Sequence, residues 1–87
     1  MTPERFETII TGVPLWLLRE YGQELGGRPE SDGALRGEGW RMTLAQADDY
    51  AIGSLRVGQV RMQIEGEAQA VAGLRRALEP KLLRGGG

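Results

Sequence analysis

The chain has 87 residues, with eleven basic and twelve acidic side chains and a formal net charge of −1, so it holds one domain and sets up no field that would attract a polyanion. It has neither cysteine nor histidine, which removes disulfides, thiol nucleophiles, imidazole acid–base catalysis and most zinc or copper sites. No apolar run approaches the roughly 20 residues that span a bilayer, and Met1-Thr2-Pro3-Glu4-Arg5 lacks the pattern of a signal peptide, so a reducing, cytoplasmic setting is expected.

Phe6–Thr11 is β-branched and ends at Gly12, which predicts a first strand. Pro14 stands where a helix begins, and Leu17, Leu18, Tyr21 and Leu25 then form one stripe at helical spacing, with Leu15 and Gly22 at its edge. Gly22 inside that stripe predicts a helix lying close on a sheet, and Gly26-Gly27 supplies the left-handed stop. Residues 28–33 read as a polar loop. From Ala34 the period becomes two: a short strand at Ala34–Arg36, a turn at Gly37-Glu38-Gly39, then a strand in which Trp40, Met42 and Leu44 alternate with Arg41, Thr43 and Ala45. Asp48-Asp49 predicts another turn and Tyr50–Val57 another strand. Gly58-Gln59 fits a two-residue turn into the strand of Val60, Met62 and Ile64, although a bulge at Gly58 within one long strand accounts for the change of phase equally well. Glu67 is expected to open a second helix, with Val71, Leu74 and Leu78 on its buried face and Arg75, Arg76 and Glu79 pointing away. Pro80 is expected to stop or kink it. The order is strand, helix, about four hairpin-linked strands, helix: an α+β protein with two helices on one face of an antiparallel sheet. A ferredoxin-like fold would need a closing strand after the second helix, and Lys81–Arg84 hardly supplies one. The domain is expected to span 1–84, followed by a glycine tail, 85–87.

Phe6-Glu7, the run Pro14-Leu15-Trp16-Leu17-Leu18-Arg19-Glu20-Tyr21, the Gly26-Gly27 stop, Gly53-Ser54-Leu55, Glu65-Gly66-Glu67 and the ending Arg84-Gly85-Gly86-Gly87 recur together. In that order and spacing they resemble the C-terminal domain of bacterial MoaD-related proteins, from about Arg5 to Gly87. The resemblance implies a TATA-binding-protein-like fold, β-α-β-β-β-β-α, a name that describes backbone shape and not DNA binding. In two-domain members this domain follows a ubiquitin-like MoaD-type domain, a relative of the sulfur carriers of molybdenum-cofactor synthesis; here a free-standing domain is expected. The domain itself carries no assigned activity.

The residues that remain for function are few. Leu83-Arg84-Gly85-Gly86-Gly87 has the form of a tail that an activating enzyme threads and adenylates, because any side chain at Gly85, Gly86 or Gly87 would obstruct a narrow channel. Against this, the preceding body does not read as a ubiquitin-like β-grasp. Trp16 falls on the polar side of its helix, either as an interface anchor or packed sideways onto a loop. Arg75 and Arg76, with Lys81 and Arg84, make the second half basic, as helix-terminating charges or as a patch for an acidic partner. Arg41, Arg61, Gln63 and Glu65 form polar rows that stay open if the helices cover the other face. Turn chemistry accounts for Asp48-Asp49, and a strand end for Glu65 and Glu67. No catalytic residue, metal site or cofactor is expected. The expected function is that of a non-catalytic interaction domain linked to MoaD-type sulfur transfer or molybdenum-cofactor metabolism. Its expected partner is a protein, MoaD-type or an adenylating enzyme, with neither nucleic acid nor membrane. The alternative is a Gly-Gly sulfur carrier or conjugated modifier.

Overall fold

The computed structural model describes residues 3–86, with side chains as far as Leu83. The elements in chain order are β1 (Pro3–Thr11), α1 (Leu15–Glu24), β2 (Arg28–Pro29), β3 (Leu35–Gly37), β4 (Trp40–Ile52), β5 (Leu55–Glu67) and α2 (Ala68–Gly86). The five strands form one sheet in the order β1-β5-β4-β3-β2, with every pairing antiparallel. The expected β-α-β-β-β-β-α order and α+β class hold.

Register explains which face is dry. Phe6, Ile64, Met42 and Leu35 lie in one row across four strands, and Thr8, Met62 and Leu44 lie in the next. Leu35, Met42, Met62 and Ile64 are wholly or almost wholly buried beneath Leu18 of α1 and Val71, Leu74 and Leu78 of α2. Burying each such side chain contributes roughly 1.5–3 kcal/mol, and this single layer is the core. The helices share this face, α1 over β3 and β4, α2 over β1 and β5. Val13 and Ala34 close the core from loops; Val13 belongs to no periodic run, and Ala34, expected to open the short strand, lies just before β3.

Local chemistry sets the junctions. Helix α1 ends in a Schellman motif: Gly27 N–H donates to the Gly22 carbonyl at 2.9 Å, Gly26 N–H to Gln23 at 3.0 Å, and Gly26 has φ +102°. Gly22 is buried, and a Cβ there would lie 2.6 Å from Leu35 Cδ1, which is the close helix-on-sheet approach the sequence predicts. Trp40 lies against Gly37, where a Cβ would come within 2.0 Å of the indole.

Several boundaries differ from the sequence expectation. Residues 28 and 29 form β2, paired with Arg36 and Leu35, where a loop was expected. Asp48-Asp49 is no turn: the register of β4 slips between Ala47 and Tyr50, so these two residues oppose Gly58 alone, as a bulge. Strand β5 runs unbroken through Gly58-Gln59, and the hairpin turn is Gly53-Ser54, glycine first with φ +59°. The bulge thus sits on β4, opposite Gly58 rather than at it. Glu67 ends β5, its N–H donating to the Gly39 carbonyl at 2.9 Å, and α2 begins at Ala68. Pro80 does not end α2. Leu78 is buried, Leu82 packs against the core, and Lys81 reaches Glu24 and the ring of Tyr21, so contacts beyond the proline outweigh its lost hydrogen bond.

Candidate protein interface

Strands β4 and β5 each have 13 residues, about 43 Å at strand rise, which matches the 47 Å long axis of the molecule. Their neighbours are shorter. β1 leaves β5 at Gln59, and β3 leaves β4 at Met42. From Asp48 to Val57 the two strands therefore pair only with each other, as a projecting arm whose twist the bulge increases.

The arm carries apolar side chains into water. Val60, Met62 and Ile64 enter the core, so by alternation Val57 and Leu55 turn to the opposite face, together with their cross-strand partners Tyr50 and Ile52. Leu55 is 68% exposed, Ile52 55% and Tyr50 49%. Trp16, in the first turn of α1, is 65% exposed, so the reading of it as a residue packed sideways onto a loop fails. The loop that leads into α1, Gly12-Val13-Pro14, shares a shallow cleft with Arg56, Val57 and Gly58 at the base of the arm. Three of the six large hydrophobic residues exposed among the described residues, Tyr50, Ile52 and Leu55, are thereby gathered on one face of the arm. Such a concentration marks a contact surface, whereas singly scattered exposed residues would not. The sequence offered Trp16 as one of two readings but did not mark Tyr50, Ile52 and Leu55, which fell in the strand expected at Tyr50–Val57. The available signal was the phase break at Asp48-Asp49 and Gly58.

At the other end, the open face of the sheet is charged. Arg41 donates through Nε to Glu30 at 3.0 Å, pairs with Asp32, and lies 3.7 Å from Glu65; Arg36 bonds the other oxygen of Glu30 at 2.9 Å. Hydrogen bonds from Arg36 and then Arg41 hold the Glu30 carboxyl below its ordinary value of 4.5. The Ala34 N–H, and secondarily the Arg41 charge, does the same for Asp32 relative to 3.8. Hydrogen bonding to Glu30, then the Asp32 charge, keeps Arg41 the more firmly protonated. Arg61 stands 3.9 Å from Glu7, and Arg5 4.0 Å from Glu65. The expected cross-strand ion pairs are present, and they engage Glu65. Among the described residues no group of three or more acids converges as metal ligands would.

The remaining predicted residues fall elsewhere. Arg75 stacks on Phe6, its guanidinium 3.7 Å from the ring centroid, and with Arg76 it lines a groove of about 490 Å³ between α2 and β1. Lys81 is occupied by Glu24 and Tyr21, so it does not join Arg75 and Arg76 in one patch. Gly85 and Gly86 continue α2, and Gly87 lies outside the described residues. No helix among the described residues is long and apolar enough to cross a membrane.

A comparison with curated proteins found no match. The model of one family, described as archaeal MoaD-like protein, matches residues 6–87, from the second half of β1 through both helices to the glycine ending. This chain belongs to that archaeal MoaD-like family.

Proposed function

We propose that the protein is a non-catalytic binding module of MoaD-type sulfur-transfer chemistry, which engages a protein partner through the apolar face of the β4–β5 arm, with Trp16 as a second exposed anchor. The observation that carries this reading is the exposure of Tyr50, Ile52 and Leu55 together on one face of the projecting arm. Membership of an archaeal MoaD-like family supports a link to MoaD-type proteins, and on this reading a MoaD-type carrier or its adenylating enzyme is the occupant. Aromatic and aliphatic anchors on a projecting hairpin can enter a partner's pocket at little cost in side-chain entropy.

Calorimetric titration of the protein with the MoaD-type carrier and the adenylating enzyme of the same organism tests this. Leu55→Asp and Trp16→Ala should each weaken binding by about tenfold or more, with the melting temperature little changed. Unaltered affinity in both variants, or no binding to either protein, would overturn it.

A second reading has its own observation: the family match extends over Leu83-Arg84-Gly85-Gly86-Gly87. In it, ATP adenylates the Gly87 carboxylate with loss of pyrophosphate, and a sulfide donor displaces AMP to leave a thiocarboxylate. Two glycines at the end of α2 give that turn the weakest helix propensity available short of proline, about 1 kcal/mol per residue below alanine, which suits a segment that must unwind into an enzyme channel. Intact mass after incubation with ATP, adenylating enzyme and donor should show sulfur replacing one oxygen. Deletion of Gly86 and Gly87 should abolish the shift. If a MoaD control is thiolated and this protein is not, the carrier reading fails and the binding module stands.

A further inference from the structure

Strand β1 is the outer strand of the sheet over its nine residues. Natural proteins blunt such an edge with bulges, proline or charge; β1 pairs with β5 without a break, has proline only at its first position, and carries charges of both signs, Glu4, Arg5 and Glu7, that can be matched by a second copy. The parity of its free edge follows from one bond. Gly12 N–H donates to the Gly58 carbonyl at 3.0 Å, in continuation of the Thr11–Gln59 register. Even-numbered residues of β1 therefore bond β5, and the N–H and C=O groups of Arg5, Glu7 and Ile9 face outward, unpaired within the sheet.

We propose that two copies of the chain pair antiparallel through β1, about a two-fold axis at Phe6, so that their sheets become one. Charge selects this register. With the axis at Phe6, Arg5 stands opposite Glu7 of the second copy and Glu7 opposite its Arg5, each pair exchanging both backbone hydrogen bonds. With the axis at Arg5 or at Glu7, like charges meet at the centre. With the axis at Thr8, Arg5 faces threonine and Glu7 faces isoleucine, and no opposite charges meet.

The helix-covered face agrees with the same register. Phe6 meets Phe6 of the second copy across the axis. Glu4, on the same face of β1, falls opposite Thr8 of the second copy, inside the groove lined by Arg75 and Arg76. Neither arginine has a carboxylate partner among the described residues, and Glu4 of the other copy supplies one to each groove. The half-buried Phe6, Thr8 and Ile10, which α2 leaves partly open, gain cover from the neighbouring strand. This interface is distinct from the arm, so the dimer and the proposed binding module stand or fall separately.

Sedimentation equilibrium on the full chain, from micromolar to millimolar concentration, tests the pairing. The expected mass is twice the 9.5 kDa of one chain. Arg5→Glu and Glu7→Arg each place like charges opposite one another twice and should weaken dimerisation about tenfold or more. The double variant restores opposite charges and should recover the dimer, and thermal melts show whether each variant is folded. A protein monomeric throughout overturns the proposal. So does a dimer insensitive to the single variants, a double variant no better than the singles, or a dimer lost in Leu55→Asp. Amide exchange on the wild type tests the pairing without mutation. Protection of the Arg5, Glu7 and Ile9 amides should rise with concentration, and concentration-independent exchange there overturns the pairing.

Discussion

Gly66 shows how a single position can be fixed by its neighbours. It lies opposite Trp40 with φ +150°, and a Cβ there would come within 2.1 Å of the Gly39 carbonyl oxygen, the acceptor of the Glu67 N–H bond that precedes α2. Because the obstacle is backbone, no rotamer change can relieve it. Gly66→Ala should therefore destabilise the protein by roughly 2–4 kcal/mol, measured by urea denaturation. Gly58→Ala is the control. A Cβ there meets only Gln46 Nε2, at 3.9 Å, and the cost should be within about 1 kcal/mol. Residue type alone does not tell these two glycines apart. Only the packing shows that one is obligatory and the other is merely the residue opposite a bulge.

Among the elements, α2 and the β4–β5 hairpin depart most from local propensity. Pro80 is a helix breaker by every local rule, yet α2 passes through it because Leu78, Lys81 and Leu82 continue the packed face. Pro80 is exposed, so replacing it removes no core contact. Pro80→Ala should raise the unfolding free energy by roughly 1–3 kcal/mol in the same denaturation experiment. No change would mean that the proline is already accommodated without strain. In the hairpin, the aspartates at 48 and 49 and the glycine at 58 are all turn formers. The chain nevertheless keeps pairing past them, since two residues against one leave the ladder intact on either side. That slip turns Tyr50 and Ile52 to the face that Leu55 already takes by alternation along β5, and makes the hairpin a candidate interface.

For the whole molecule, the open face of the sheet governs the response to pH. The carboxyls of Glu30 and Asp32 titrate below their ordinary values, so the stability they confer is full above about pH 4.5 and is lost as pH falls through the depressed values. Melting curves of wild type and Glu30→Gln should be separated at pH 7 and converge as pH falls to about 2. Both groups are exposed, so salt should narrow the separation at pH 7 as well. A gap that is independent of pH would assign the role of Glu30 to packing and not to charge.

The element types, their order and most of the core were legible in the sequence, because each rests on short-range physics. Helical spacing placed Leu18, Val71, Leu74 and Leu78, alternation placed Met42, Met62 and Ile64, and Gly26-Gly27 placed the stop of α1. The same spacing put Trp16 on the polar side of its helix but left open whether it packs onto a loop, and only the structure shows it exposed. The arm was not legible. Its apolar residues alternate as core residues do, and their exposure depends on β1 and β3 being too short to flank them, a fact of sheet assembly rather than of any local run. The same holds for Pro80 and for Arg75, whose place over Phe6 joins residues far apart in the chain. Periodicity decided which residues a strand or helix would bury. Tertiary structure decided which strands had neighbours, and with that where the surface able to bind another protein lies.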